Sequence, residues 1–179
     1  MKQLIIGGAR SGKSKMAQNY ASQWQSNTQG EVIVIVTAQN KDGAMAKRIA
    51  HHQANRPPHW QTVESHLALA STLQRHSQAD NLIMVDCLTL WLSNVLLHDA
   101  EQSTNQYPVM KRQLIDTIKA LSGEIVLIGN EVGQGVVPMG ALCREFVDQS
   151  GWLHQSIAEC VDKVTVSIAG LPMVIKERA

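Results

Sequence analysis

Cysteine is scarce. Cys87, Cys143 and Cys160 are the only three, they lie far apart, and no CxxC pair occurs. An odd, scattered set of this kind is neither a disulfide framework nor a zinc ribbon, and it suits a reducing cytoplasm. Charge is sparse too: charged residues make up 17% and the formal net charge is +1, so no general basic field exists to hold nucleic acid or an anionic membrane. Any anionic ligand must be caught by a local site. No apolar run approaches the ~20 residues that span a bilayer. No basic, apolar, small-residue sequence of the signal-peptide kind precedes the first β pattern. Internal repeats, low-complexity tracts and Gly/Ser linkers are missing as well, so residues 1–179 read as a single domain.

What the chain has is a 44% hydrophobic content, suited to a globular core, arranged as strands alternating with helices. Residues 3–6 form a short apolar run, followed by a glycine-rich segment and a helical pattern over 13–24. EVIVIVTA (31–38), NLIMVD ending at Asp86 and EIVLIGNE ending at Glu131 are apolar on both faces, as buried parallel strands are when helices cover both sides of a sheet. KVTVSIAG (163–170) and a last run, PMVIK, bring the expected β segments to six. Helical patterns fall at 43–55, 68–76, 89–97, 108–122 and 140–158, and the polar stretch 99–107 reads as a surface loop. The alternation predicts an α/β fold with a mainly parallel sheet flanked by helices.

GGARSGKS, from Gly7 to Ser14, fits the GxxxxGKS pattern and sits directly between a strand and a helix. Its glycines let consecutive backbone N–H groups turn inward around phosphate oxygens. Lys13 reaches the outer phosphates and Ser14 binds magnesium. The N-terminus of the following helix adds a favourable dipole. Asp86, ending an apolar strand, has two readings: a carboxylate that holds the magnesium of a P-loop site, or an ordinary helix cap. Glu131, ending the next strand, is a weaker candidate for the same role.

His51 and His52 are adjacent in a helical pattern, with His52 on the stripe of Met45 and Ile49 and His51 turned about 100° away toward Lys47 and Arg48. Spacing leaves two readings of His52, a partly buried hydrogen-bonded histidine and a nucleophile whose neutral imidazole attacks phosphorus. His52, His59 and His66 recur at sevens, but Pro57 and Pro58 interrupt any helix that would align them, so a metal face is discounted. Arg56 is placed to contact phosphate, and Glu64 to accept hydrogen bonds from a base or ribose; each also reads as a plain surface charge.

GGARSGKS, RIAHHQANRP, the Glu of TVE, VDC and NEVGQGVVP occur in that order along the chain. Together they resemble the bifunctional adenosylcobinamide kinase/adenosylcobinamide-phosphate guanylyltransferase family of cobalamin assembly, essentially end to end. The resemblance implies a P-loop NTPase of RecA-like, mainly parallel architecture and two reactions. Adenosylcobinamide is phosphorylated on its aminopropanol hydroxyl by ATP or GTP; GMP then passes from GTP to the phosphate, giving adenosylcobinamide-GDP and pyrophosphate. It also implies a GMP-histidine intermediate on the histidine of RIxxHxxxRP, which is His52 here, with His51 as the fallback. Carried over position by position, nucleotide contacts fall on Gly7, Gly8, Ala9, Arg10, Ser11, Gly12, Lys13 and Ser14. They continue at Thr37, Ala38, Gln53, Ala54, Asn55, Arg56, Glu64 and Asp86, with Mg2+ on Ser14 and Asp86. Relatives of this kind suggest a homo-oligomer, a homotrimer. The rival reading is a small-molecule P-loop kinase without nucleotidyl transfer. A GTP-dependent switch is disfavoured because NKxD is missing: Asn40, Lys41 and Asp42 have the wrong spacing.

Overall fold

Alternate residues of each central strand feed two different cores. Leu4, Ile33, Ile35, Ile83, Val85, Ile125 and Leu127 enter one, while Ile5, Val32, Val34, Val36, Leu82, Met84, Val126 and Ile128 enter the other. A strand with this pattern is stable only with cover on both faces, and each side chain so buried contributes about 1.5–3 kcal/mol. A computed structural model, describing residues 1–39 and 56–178, shows how the cover is supplied. The helix expected over 43–55 lies outside the described residues.

The described elements are β1 (Lys2–Gly7), α1 (Lys13–Thr28), β2 (Glu31–Val36), β3 (Gln61–Glu64), α2 (Leu69–His76) and β4 (Asn81–Asp86). They continue with α3 (Leu88–Gln102), α4 (Tyr107–Ala120), β5 (Glu124–Asn130), α5 (Ala141–Cys160), β6 (Lys163–Ile168) and β7 (Leu171–Glu177). All seven strands join one sheet in the order β3-β2-β4-β5-β1-β6-β7. Every neighbouring pair is parallel except β6 and β7, which form an antiparallel hairpin at one edge. Ala17 and Ala21 bring α1 onto one face, small enough to let the helix lie close to the strands. Leu69 and Leu73, Trp91 and Leu92, Leu114 and Ile118, and Leu153 and Ile157 bring α2 to α5 onto the other.

The mainly parallel α/β sheet expected from the sequence is thus observed, with two departures. β3 makes seven strands rather than six among the described residues. It is a four-residue edge strand whose side chains are exposed or half-buried, so it lacks the apolar pattern of an internal strand; what makes it a strand is pairing with β2, from Ile33 opposite Gln61 to Val36 opposite Glu64. The second departure is the stretch 99–107. α3 runs on to Gln102, and Asp99 is buried rather than in a surface loop. Its carboxylate accepts hydrogen bonds from the Thr104 hydroxyl (2.6 Å), the Gln106 amide (2.9 Å) and the Tyr107 amide (2.9 Å), tying the end of α3 to the start of α4.

Burial alone would raise the Asp99 pKa, but these three donors outweigh it and hold the carboxyl below its ordinary value. A carboxyl depressed in this way stabilises the fold fully above the unfolded value of about 3.9, and the contribution is lost as pH falls through the lower folded value. Asp99→Asn is therefore expected to cost about 1–3 kcal/mol at neutral pH, read from urea unfolding midpoints. The gap between variant and wild type should close in acid; a gap constant down to pH 2 would contradict the assignment.

Candidate active site at the C-terminal edge of the sheet

Register brings one residue type after another to the same edge. Gly7 pairs with Asn130 at the ends of β1 and β5, Asp86 lies level with Val36 at the ends of β4 and β2, and Val36 lies level with Glu64. β5 stands between β1 and β4, which puts Asp86 two strand spacings, on the order of 10 Å, from the strand that leads into the glycine loop.

The loop leaves β1 at Gly7 and enters α1 at Lys13. It is turned by Arg10 and Gly12, both with positive φ (56° and 98°), and Gly12 serves as the N-cap of α1. The first turn of α1 carries no acidic residue and no side-chain cap, so nothing within the helix itself offsets the positive dipole end and N–H groups that face the loop's concavity. Lys13 is buried, and its ammonium donates to the Gly8 carbonyl (2.5 Å) and the Ser11 hydroxyl (3.4 Å), which folds the cation back across the loop. Ser14, half-buried, follows it on α1.

Arg56 reaches the edge by a different route. The chain turns at Pro57 and Pro58, and Trp60 is buried in the α1 face of the core, with its indole N–H donated to Gln25 of α1 (2.9 Å). Anchored this way, Arg56 donates from Nη2 to Oδ2 of Asp86 at 3.1 Å. Its side chain is only 6% exposed, and Nε and Nη1 have no hydrogen-bond partner among the described residues. Buried guanidinium N–H groups are costly when unpaired, so this fork suits an anion with several oxygens.

Other residues expected at the site are placed differently. Thr37 is fully buried, and its hydroxyl bridges the backbone of Cys87, donating to the carbonyl (2.7 Å) and accepting from the amide (3.0 Å). It locks the end of β2 to the end of β4; Ala38 beyond it is half-exposed. Glu64 lies at the far edge, four strand spacings or about 19 Å across the sheet from β1, and is mostly exposed, with His66 Nε2 3.6 Å away. Glu131 turns its carboxylate to the Gly133 amide (2.7 Å). His59 contacts Gln25 while His66 contacts the Thr37 carbonyl, so these two histidines serve different elements. His51, His52, Gln53, Ala54 and Asn55 lie outside the described residues.

Three positions that sequence reading passed over also shape the edge. Thr89 accepts the Asn130 amide (2.6 Å), fixing the end of β5. His154 packs its ring against Gly129 of β5; burial lowers its pKa, against an opposing effect of the Glu131 charge. Ser167, at the end of β6, touches the glycine loop itself.

A model of the family described as cobinamide kinase / cobinamide phosphate guanyltransferase matches residues 3–175. The chain belongs to that family. Within it, the chain is 48% identical over 176 residues to the bifunctional adenosylcobalamin biosynthesis protein CobP of Pseudomonas aeruginosa, covering 98% of each chain. It is 35% identical over 185 residues to the bifunctional adenosylcobalamin biosynthesis protein CobU of Salmonella typhimurium, covering 97% of this chain and 98% of that one. Among solved structures, one described as an ATPase domain superposes with a TM-score of 0.51 at 13% identity, over 92% of this chain and 68% of that one. That likeness shows the fold alone, and it agrees with a RecA-like P-loop sheet for this cobinamide kinase / guanyltransferase family member.

The glycine loop's packing is testable by itself. A Cβ on Gly12 would stand 3.0 Å from the Cα of Gly170, and the backbone there already has φ +98°. Gly12→Ala is expected to cost about 1–3 kcal/mol, seen as a lowered urea midpoint. An unchanged midpoint would contradict the close approach.

Proposed function

We propose that this chain is a single nucleotide-binding domain spanning residues 1–179 that carries out two reactions at one P-loop site. In the first, ATP or GTP phosphorylates the hydroxyl of adenosylcobinamide. In the second, His52 takes GMP from GTP, with release of pyrophosphate, and passes it to adenosylcobinamide-phosphate to give adenosylcobinamide-GDP. The observation that carries the reading is the buried Arg56 fork, with two nitrogens unsatisfied among the described residues, on the same sheet edge as the glycine loop and Lys13. Membership of the family supplies the substrate class.

The chemistry follows from the groups present. The loop amides of Gly8 to Ser14, the N-terminus of α1 and Lys13 oppose the charge that gathers on a departing pyrophosphate or transferred phosphoryl group. Arg56 holds a further phosphate oxygen through its fork, with Asp86 fixing its orientation. A neutral imidazole at His52 divides a difficult substitution at the α-phosphorus into two easier ones. Thr37, Ala38, Gln53, Ala54, Asn55 and Glu64 complete the assigned nucleotide contacts, Glu64 toward the base or ribose. Ser14 and Asp86 offer a hydroxyl and a carboxylate, hard oxygen donors that suit Mg2+, and we assign the ion to them. Bound there, Mg2+ would offset the negative charge of the phosphates.

A second copy of the chain is the proposed partner, in a homotrimer. β7 exposes Leu171, Met173, Val174 and Ile175 at the sheet edge, and Val136 and Met139 of the loop before α5 are almost wholly exposed. An apolar edge strand left open in this way invites pairing or burial. No described helix is long and apolar enough to cross a membrane. The three free thiols suit the cytoplasm, to which we assign the protein.

The test is incubation of the pure protein with magnesium and GTP labelled at the α-phosphate, then denaturation and counting of bound label. Label should be retained by wild type and His51→Ala, be lost in His52→Ala, and show the acid lability and alkali stability of a phosphoramidate. Wild type that binds GTP but takes no label would replace this reading with a small-molecule P-loop kinase lacking nucleotidyl transfer.

A further inference from the structure

The carbonyl of Ser11, near the crown of the glycine loop, accepts two hydrogen bonds from the β6–β7 hairpin. One comes from the Ser167 hydroxyl at 2.7 Å and the other from the Gly170 amide at 2.9 Å. Ser167 lies in β6 just before, and Gly170 lies within, a two-residue hairpin turn in which Ala169 and Gly170 both have positive φ (52° and 81°). Such a turn matches the twist of its strands, and glycine takes that conformation without penalty.

The packing around this contact is tight. Ser167 is 1% exposed, its own carbonyl occupies the place a Cβ on Gly7 would need, and Gly170 abuts Gly12. Yet Ser167 is not what attaches β6 to the sheet. The β1–β6 ladder ends where Ile6 meets Val166, so Ser167 lies one residue beyond it, beside Gly7, the last residue of β1.

A trans peptide is planar, with its C=O and N–H pointing in opposite directions. A Ser11 carbonyl held by two donors on the hairpin side therefore turns the Gly12 N–H of the same peptide away from the hairpin. A loop that binds anions through backbone N–H groups depends on that orientation, and an unanchored peptide would have to be ordered at the moment of binding.

We propose that Ser167, together with the Gly170 amide, is a positioning residue for nucleotide binding: it presets the Ser11–Gly12 peptide so that the Gly12 N–H faces the phosphates. The proposal rests on the reading of Gly7 to Ser14 as the phosphate loop. The Ser167 hydroxyl is buried and donated to the Ser11 carbonyl, so its action passes through the peptide it holds.

The experiment is calorimetric titration with magnesium GTP of wild type, Ser167→Ala, Ser167→Thr and Lys13→Ala, each well below its Tm. Loss of one hydrogen bond that shapes the site should raise the Kd of Ser167→Ala about three- to tenfold. The Tm should move little, because the β1–β6 ladder is intact, and Ser167→Thr, which keeps the hydroxyl, should return the Kd toward wild type. A wild-type Kd in Ser167→Ala, with Lys13→Ala losing affinity, overturns the positioning role and leaves the phosphate loop standing. Equal binding by wild type and Lys13→Ala overturns the phosphate-loop reading itself. Should Ser167→Ala fail to fold, hydrogen exchange on wild type decides. Saturating magnesium GTP should slow the Gly170 amide more than the other amides of β6 and β7, and uniform slowing would refute the coupling.

Discussion

Parallel pairing is the constraint on which the rest of this structure depends. Two parallel neighbours cannot be joined by a tight turn, so the chain must cross back over the sheet before each new strand. Every return delivers another strand end to the same edge. Gly7, Val36, Glu64, Asp86 and Asn130 share an edge for this reason and need no attraction for one another. The two apolar cores supply the free energy, through strands such as β2 and β4 whose residues alternate between them. Polar residues then do the local fixing. Thr37 ties β2 to β4, Thr89 holds the end of β5, and Ser167 and Gly170 steady the loop after β1.

Charge is distributed with the same logic. A chain with a net charge of +1 has little positive field to spare, yet two of its cations, Lys13 and Arg56, are buried along this edge. Burying a cation is unfavourable unless it is paired. Lys13 meets the need with oxygens of its own loop. Arg56 meets it in part with Asp86, leaving Nε and Nη1 unsatisfied among the described residues. The bare N-terminus of α1 adds positive potential in the same direction. A polyphosphate presents several oxygens at once, and so can satisfy the loop, the helix end and the fork together.

The internal strands were legible in the sequence because burial on both faces leaves an unbroken apolar run, and the glycine loop because its pattern sits between a strand and a helix. β3 was not, since an edge strand of QTVE with exposed side chains carries no such run. The helical end of α3 was hidden for a related reason. Asp99 looks like loop chemistry until three donors from Thr104, Gln106 and Tyr107 are seen to satisfy it. Lys13, Arg56 and Asp86 were named as candidates from motif and position, and the structure places all three at the C-terminal edge of the sheet. Ser167 was missed because its partner is a backbone carbonyl 156 residues earlier, and no sequence pattern marks an acceptor that every residue possesses. The nearest available signal was the Ala169-Gly170 turn, which marks the hairpin but not what the hairpin touches.

The most direct measurement of the central claim is a crystal structure of the protein with magnesium and a non-hydrolysable GTP analogue. The account predicts phosphate oxygens within hydrogen-bonding distance of the Gly12 and Lys13 amides and the Lys13 ammonium, with the Arg56 fork turned toward the same phosphates. Phosphates bound elsewhere, for instance in the basin between α4 and α5 lined by Lys111, Arg112 and Lys119, would contradict it.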